Sequence, residues 1–161
     1  MTADQIIDLL DLKPHPEGGF FKETYRSHGQ ILKSSTGQHE RLFSTAIYYM
    51  LTPGTLSKFH RLSSDEVFHF YMGDPVTWVL LGAGGRKRKI VLGNDLSGGQ
   101  EIQMVVPAGT WFGGYLNEGG RYALMGTTVA PGFEFSDFVM ARREELLMLY
   151  PSSEADILKL T

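Results

Sequence analysis

Cysteine is absent from the 161 residues of this chain. Its absence excludes disulfides, thiolate catalysis, cysteine-ligated zinc and iron–sulfur clusters together, and it is compatible with a reducing compartment. An excess of positive charge is missing too: 15 Lys and Arg face 18 Asp and Glu, a formal net charge of −3. General nucleic-acid binders carry the opposite balance, so no nucleic-acid partner is expected. No apolar run approaches the roughly 20 residues that span a bilayer. The N-terminus, MTADQIIDLLDLKPH, has acids where a secretory leader has its basic segment. The expectation is a cytoplasmic protein with no membrane partner. Internal repeats, low-complexity segments and linkers are also lacking, so residues 1–161 are read as one domain.

What the chain has in quantity is glycine, 19 residues, and aromatic side chains, with 10 Phe, 7 Tyr and 2 Trp. The segments LFSTAIYYML, EVFHFYM, VTWVLL, KIVL, EIQMVV and YALMGTTV are rich in β-branched and aromatic residues. Turn clusters separate them, among them Thr52-Pro53-Gly54, Gly73-Asp74-Pro75, Gly82 to Gly85, Pro107-Ala108-Gly109 and Gly113-Gly114. Many short strands with regular turns predict a mainly all-β sandwich or barrel, its core at about residues 42–140. Ile6, Leu9 and Leu10 predict a short amphipathic helix over 3–12, capped by Thr2 and stopped by Lys13-Pro14-His15-Pro16. Short helical segments are predicted at 144–150 and 153–160. Residues 28–41 read as a polar loop or mobile hairpin, with His28 and His39 exposed. The basic run Arg86–Lys89 beside Gly84-Gly85 reads as a solvated hairpin tip.

One spacing is more specific. Gly54, His60, Leu62, Glu66 and Gly73 follow with five, one, three and six residues between them. Two apart on a strand, His60 and Leu62 share a face. Glu66 follows a turn through Ser63-Ser64-Asp65, so two hairpin-related strands can present His60 and Glu66 to one interior. The pattern resembles the first signature of the cupin superfamily, G-x5-H-x-H-x3-4-E-x6-G, with Leu62 in place of the second histidine. Pro107-Ala108-Gly109-Thr110-Trp111-Phe112 resembles the second, P-x-G-x2-H, with Phe112 at the histidine position. The ordered set His15-Pro16-Glu17-Gly18-Gly19, Phe21 to Arg26, Phe59-His60-Arg61, Asp65 to Phe70 and Thr128 to Phe133 resembles the uncharacterised small-cupin family known as cupin family five. That resemblance implies an all-β double-stranded β-helix, the cupin or jelly-roll barrel. It also implies a homodimer and kinship of fold with seed-storage cupins and deoxysugar-nucleotide 3,5-epimerases. Edge pairing through the N-terminal strand is a physically reasonable way to dimerise.

The usual cupin metal site takes three histidines and a glutamate. Leu62 and Phe112 cannot coordinate, so no cofactor is expected. A divalent metal would have to use His60 and Glu66 with ligands from elsewhere, such as Glu23 or Gln103. Three residues after Glu66, His69 points to the opposite face. The chemistry expected is metal-independent: His60 as a base near neutrality, with Glu66 orienting it, raising its pKa or binding a hydroxyl. By analogy with the epimerases a tyrosine acid would be Tyr48, Tyr49, Tyr71, Tyr115 or Tyr122. Set against this, His60 and Glu66 are a buried pair inherited from a metal-binding ancestor. Phe68 and Phe70 share the face of Glu66 and are expected to line the pocket, with Phe112 filling the metal's space and Tyr48 and Trp78 as further ligand-binding candidates. His15-Pro16-Glu17-Gly18-Gly19 reads as a stiff corner, from which Glu17 could fold over the pocket mouth. In the strand after it, Phe21, Glu23 and Tyr25 share one side, and Lys22, Thr24 and Arg26 the other. The expected partner is a small polar metabolite, carbohydrate-like, with an epimerase- or isomerase-type proton transfer. The alternatives are a metal-dependent dioxygenase or isomerase, and a non-catalytic binding or storage-like module.

Overall fold

Strands that alternate apolar and polar residues have one face to hide, and two such sheets laid face to face hide both. The computed structural model of the chain, which describes residues 1–32 and 40–161, is built that way. In chain order it runs α1 (Ala3–Leu10), β1 (Lys13–Pro14), β2 (Phe20–Arg26), β3 (Gln30–Leu32), β4 (Glu40–Leu42), β5 (Thr45–Leu51), β6 (Leu56–Arg61), β7 (Asp65–Gly73), β8 (Val76–Leu81), β9 (Lys87–Leu92), β10 (Gln103–Val106), β11 (Trp111–Leu116), β12 (Ala123–Ala130), β13 (Val139–Met140), α2 (Arg143–Leu149) and α3 (Glu154–Lys159). One sheet has the order β1-β2-β5-β12-β7-β10 and the other β13-β6-β11-β8-β9. Neighbouring strands in both are antiparallel. This is the jelly-roll barrel expected from the sequence, with short helices at both ends of the chain. β3 and β4 pair as a separate hairpin. Residues 33–39 between them, His39 included, lie outside the described residues, and His28 is exposed.

Three apolar clusters hold the layers. Tyr49, Phe68, Trp78, Phe112 and Met125 belong to the cluster between the sheets. Phe59, Val79 and Trp111 on the outer face of the five-stranded sheet pack against Leu146, Ile157 and Leu160 of the C-terminal helical region. Ile6 and Leu12 cover Met50 and Leu124 on the other sheet. Helix α1 begins as expected, with Thr2 and Gln5 exchanging side-chain-to-amide bonds in a capping box. It stops before the prolines, because Asp11 takes a left-handed backbone with φ of 53° and closes the last turn.

Two sequence expectations are corrected. Gly113-Gly114 is not a turn but the middle of β11. A Cβ on Gly113 would lie 2.9 Å from the Ser57 carbonyl oxygen, and one on Gly114 2.7 Å from the Trp78 ring. Glycine is there for close approach, beside a register shift against β6. Second, β6 and β7 are not a paired hairpin; they lie in different sheets, so His60 and Glu66 reach the interior from opposite walls. The basic run is exposed, as expected. It makes surface ion pairs, Lys87 and Lys89 with Asp156 at 3.1 and 2.6 Å and Arg88 with Glu101 at 2.9 Å. Among the described residues no helix is long and apolar enough to cross a membrane.

Candidate functional site

Beyond Tyr49 and Phe68 the packing between the sheets gives way to a cavity of about 300 Å3. His60 of β6 and Glu66 of β7 both line it, and both are buried. A third buried polar group joins them from the corner after α1. Gly18 has φ of 113°, and a Cβ there would collide with the Leu56 carbonyl oxygen. Its absence lets the corner press onto β6, where the Lys58 amide donates to the Glu17 carbonyl at 3.0 Å. The Glu17 side chain thereby turns into the barrel and is 6% exposed. One carboxylate oxygen lies 3.0 Å from His60 Nε2, and the other accepts from the Ser57 hydroxyl at 2.9 Å.

These contacts constrain the proton positions. Both nitrogens of His60 face acceptors, Nε2 the Glu17 carboxylate and Nδ1 the Lys58 carbonyl oxygen at 2.7 Å. A ring that must donate twice is an imidazolium. Burial opposes that charge, but Glu17, Glu66 and the Lys58 carbonyl hold the His60 pKa above its ordinary value. Burial likewise pushes the Glu17 carboxyl up, and His60, His15 and Ser57 together bring it below the usual range. His15 is the opposite case. Its Nδ1 accepts from the Glu17 amide at 3.3 Å, and burial holds it below the ordinary histidine value, with His60 adding to the effect against the pull of Glu17. The two imidazoles are thus shifted in opposite directions, His15 toward its neutral form and His60 toward its charged one.

Glu66 differs from Glu17 in having little to stabilise its charge. Burial, reinforced by Glu17 and opposed by His60 and Thr127, pushes its carboxyl up to about 7. Its Oε2 is buried and meets no hydrogen-bond partner among the described residues. Beside it, the Tyr49 hydroxyl donates to the Gly18 carbonyl at 2.8 Å. Burial and the nearby Glu17 push that phenol well above its ordinary value, so it stays protonated.

At the mouth, β2 departs from strict alternation. Its register against β5 shifts between Glu23 and Tyr25, a bulge that turns Tyr25 outward and brings Arg26 onto the cavity side with Glu23. The expected opposition of Glu23 and Arg26 is thus corrected. Arg26 donates through Nε and a terminal nitrogen to the two Glu23 oxygens, at 2.9 and 2.5 Å.

The other candidates fall in three places. Phe68 lines the cavity floor. Phe70, Phe112 and Trp78 belong to the packed cluster and do not line the cavity, which corrects their assignment as ligand contacts. The Phe112 ring lies 4.1 Å from the His60 imidazole, centroid to centroid, and is fully buried. Tyr48 is on the wrong face: it packs with the α1 cluster outside the sheet, and Tyr49 takes the inward place. His15 and the rings of Phe133, Phe135 and Phe138 are not among the site candidates of the sequence, and Glu17, expected at most to fold over the mouth, turns into the barrel instead. For Tyr49 the signal was strand parity with Thr45 and Ile47. For Glu17 it was the adjacent Gly18-Gly19.

A resident metal of the usual cupin kind does not fit these residues. Leu62 lines the cavity where the second histidine would stand, Phe112 packs on His60, and the His60 nitrogens are both engaged. Gln103 is exposed on β10, and among the described residues no group of three or more His, Cys, Asp or Glu, Glu23 included, is placed to hold a metal ion.

The profile of the family described as Cupin superfamily (DUF985) matches residues 4–141. The chain is 31% identical to the uncharacterized protein YML079W of Saccharomyces cerevisiae, over 97% of this chain and 84% of the yeast protein. A solved hypothetical protein from Leishmania major superposes with a TM-score of 0.93 at 32% identity, over 100% of this chain and 99% of that one. Oxalate decarboxylase from Bacillus subtilis has the same fold, with a TM-score of 0.57 at 14% identity, over 94% of this chain and 37% of the enzyme.

Proposed function

We propose, from the premise that this chain belongs to the Cupin superfamily (DUF985) family, that its barrel cavity binds a small polar, carbohydrate-like metabolite and moves a proton on it without a metal. The observation that carries the reading is the Glu66 carboxyl. It lines the cavity, is buried, has one oxygen without a hydrogen-bond partner among the described residues, and has its pKa pushed up to about 7. A group with that pKa can remove a proton and return it at working pH. The reaction class is isomerisation or epimerisation. Glu66 takes a proton from a carbon beside a carbonyl, and the electron pair moves onto the carbonyl oxygen. In epimerisation a proton returns to the same carbon as the carbonyl re-forms. In isomerisation it returns to the former carbonyl carbon while the hydroxyl proton of the first carbon passes to the former carbonyl oxygen, leaving the new carbonyl on the first carbon. His60 is the supporting charge rather than the base, because neither of its nitrogens is free. Held as imidazolium by Glu17, it lowers the cost of negative charge developing in the cavity. We also take the working form to be a cytoplasmic homodimer.

The first test is solvent exchange. Candidate sugars are incubated with the protein in deuterium oxide and followed by proton NMR. The expected result is loss of one carbon-bound proton signal with wild type and none with Glu66→Gln. Binding without exchange would move the protein to the non-catalytic class. Metal content is tested separately, by elemental mass spectrometry of untagged protein beside His60→Ala. About one equivalent of a transition metal, lost in the variant, would overturn the metal-independent reading.

A further inference from the structure

The charges that line the cavity are unbalanced, and the balance points to the sign of the ligand. Among the described residues the lining holds four carboxylates, Glu17, Glu23, Glu66 and Glu134, against two cations, Arg26 and His60. Both cations are already paired. Arg26 has its fork on both oxygens of Glu23, and His60 is held between Glu17 and Lys58. Near the mouth Arg41 is buried; it engages Asp137 and donates to the Gly132 carbonyl at 2.7 Å, while its Nε lies 3.7 Å from Glu134 without a hydrogen-bond partner among the described residues. A phosphate or carboxylate entering here would compete with these pairs and would sit beside Glu66, the one lining acid that has no cation paired with it among the described residues. The acids include Glu66, 7% exposed, with its unpartnered Oε2. The rest of the lining is aromatic. Phe21, Tyr49, Phe133, Phe135 and Phe138 border the same cavity, and Phe133 and Phe135 meet edge to face with centroids 5.1 Å apart. Rings attract cations through their negative faces, most strongly where water is excluded. A carboxylate set within an aromatic wall is the chemistry of an organic-cation site.

We infer that the ligand of this cavity is an organic cation, a small polar metabolite bearing an ammonium group, seated with its charge against Glu66 and its body against the Phe133, Phe135 and Phe138 rings. The inference rests on the cavity being a ligand site. It narrows that reading from carbohydrate-like molecules in general to amine-bearing ones, and it excludes sugar nucleotides and sugar phosphates.

Three probes of one shape and different charge test it: choline, its uncharged carbon isostere neohexanol, and the anion tert-butylacetate. Each is titrated into wild type and Glu66→Gln at about pH 8 and followed by NMR shifts of the cavity histidine and aromatic resonances. The expected order is choline first, neohexanol about tenfold weaker, as a desolvated charge–π and ion-pair contact implies, and tert-butylacetate weakest. Glu66→Gln should remove most of choline's advantage over neohexanol. Equal binding of all three, or tightest binding of the anion, overturns the inference and leaves the cavity a ligand site. If none of the three perturbs the cavity but neutral sugars do, the inference again falls alone. If neither set binds, both readings fall.

Discussion

Glu66 makes stability depend on pH in a direction opposite to most carboxylates. Its pKa rises from 4.5 to about 7 on folding. The folded state therefore binds the proton more tightly than the unfolded chain, and that contribution is complete below about pH 4.5. It is lost as pH rises through about 7, a change on the order of 3 kcal/mol at 1.36 kcal/mol per unit. Glu66→Gln removes the titration. In urea unfolding the variant should be roughly 3 kcal/mol more stable than wild type near pH 8 and indistinguishable from it near pH 4. A parallel pair of pH curves would show that the carboxyl is not buried as described. Glu17 is the counterpart, a carboxylate held charged by His60. Glu17→Gln strands the imidazolium in a buried place and should cost about 3 kcal/mol. It should also lower the His60 titration midpoint in NMR, while His60 in wild type titrates above His15. If the two histidines titrate together, the proton positions assigned here are wrong.

At the scale of elements, the site exists because a corner is pressed onto a strand. Gly18 is the device, since only a residue without Cβ fits against the Leu56 carbonyl at that φ. Gly18→Ala should cost more than about 1 kcal/mol, withdraw Glu17 from His60, and weaken ligand binding in proportion. A ligand affinity unchanged in the folded variant would detach the corner from the site. The same scale shows where the sequence could be read and where it could not. The signature spacing placed His60 and Glu66 in one interior because strand alternation is local and regular. Glu17 was undervalued because its partners, Ser57 and His60, lie forty or more residues away and no local period connects them. Tyr48 and Arg26 failed for a different reason. One register choice in β5 and one bulge in β2 each reverse which face a side chain takes. Gly113-Gly114 reads as a turn in the sequence because glycine serves both turning and close approach, and only the Trp78 ring across the sheet decides between them.

For the molecule as a whole, the six-stranded sheet ends in an incomplete edge. β1 pairs with β2 only at Phe20 and Phe21, so among the described residues Lys22 to Arg26 have neighbours on one side alone. Tyr25 on this stretch is 54% exposed. An open strand edge with an exposed aromatic is a template for pairing, and isologous pairing of two such edges closes both. The family resemblance leads to the same expectation of a homodimer. Because β2 also carries Phe21, Glu23 and Arg26 of the cavity wall, pairing there would stiffen the mouth of the site, and assembly and binding would be linked. Sedimentation at micromolar concentration should find a dimer, and Tyr25→Asp should shift it toward monomer by placing like charges across the two-fold axis. The monomeric variant should bind ligand several-fold more weakly, with no residue inside the cavity changed. Wild-type protein sedimenting only as a monomer would remove the dimer. A monomeric variant of undiminished affinity would keep the dimer but separate it from the site.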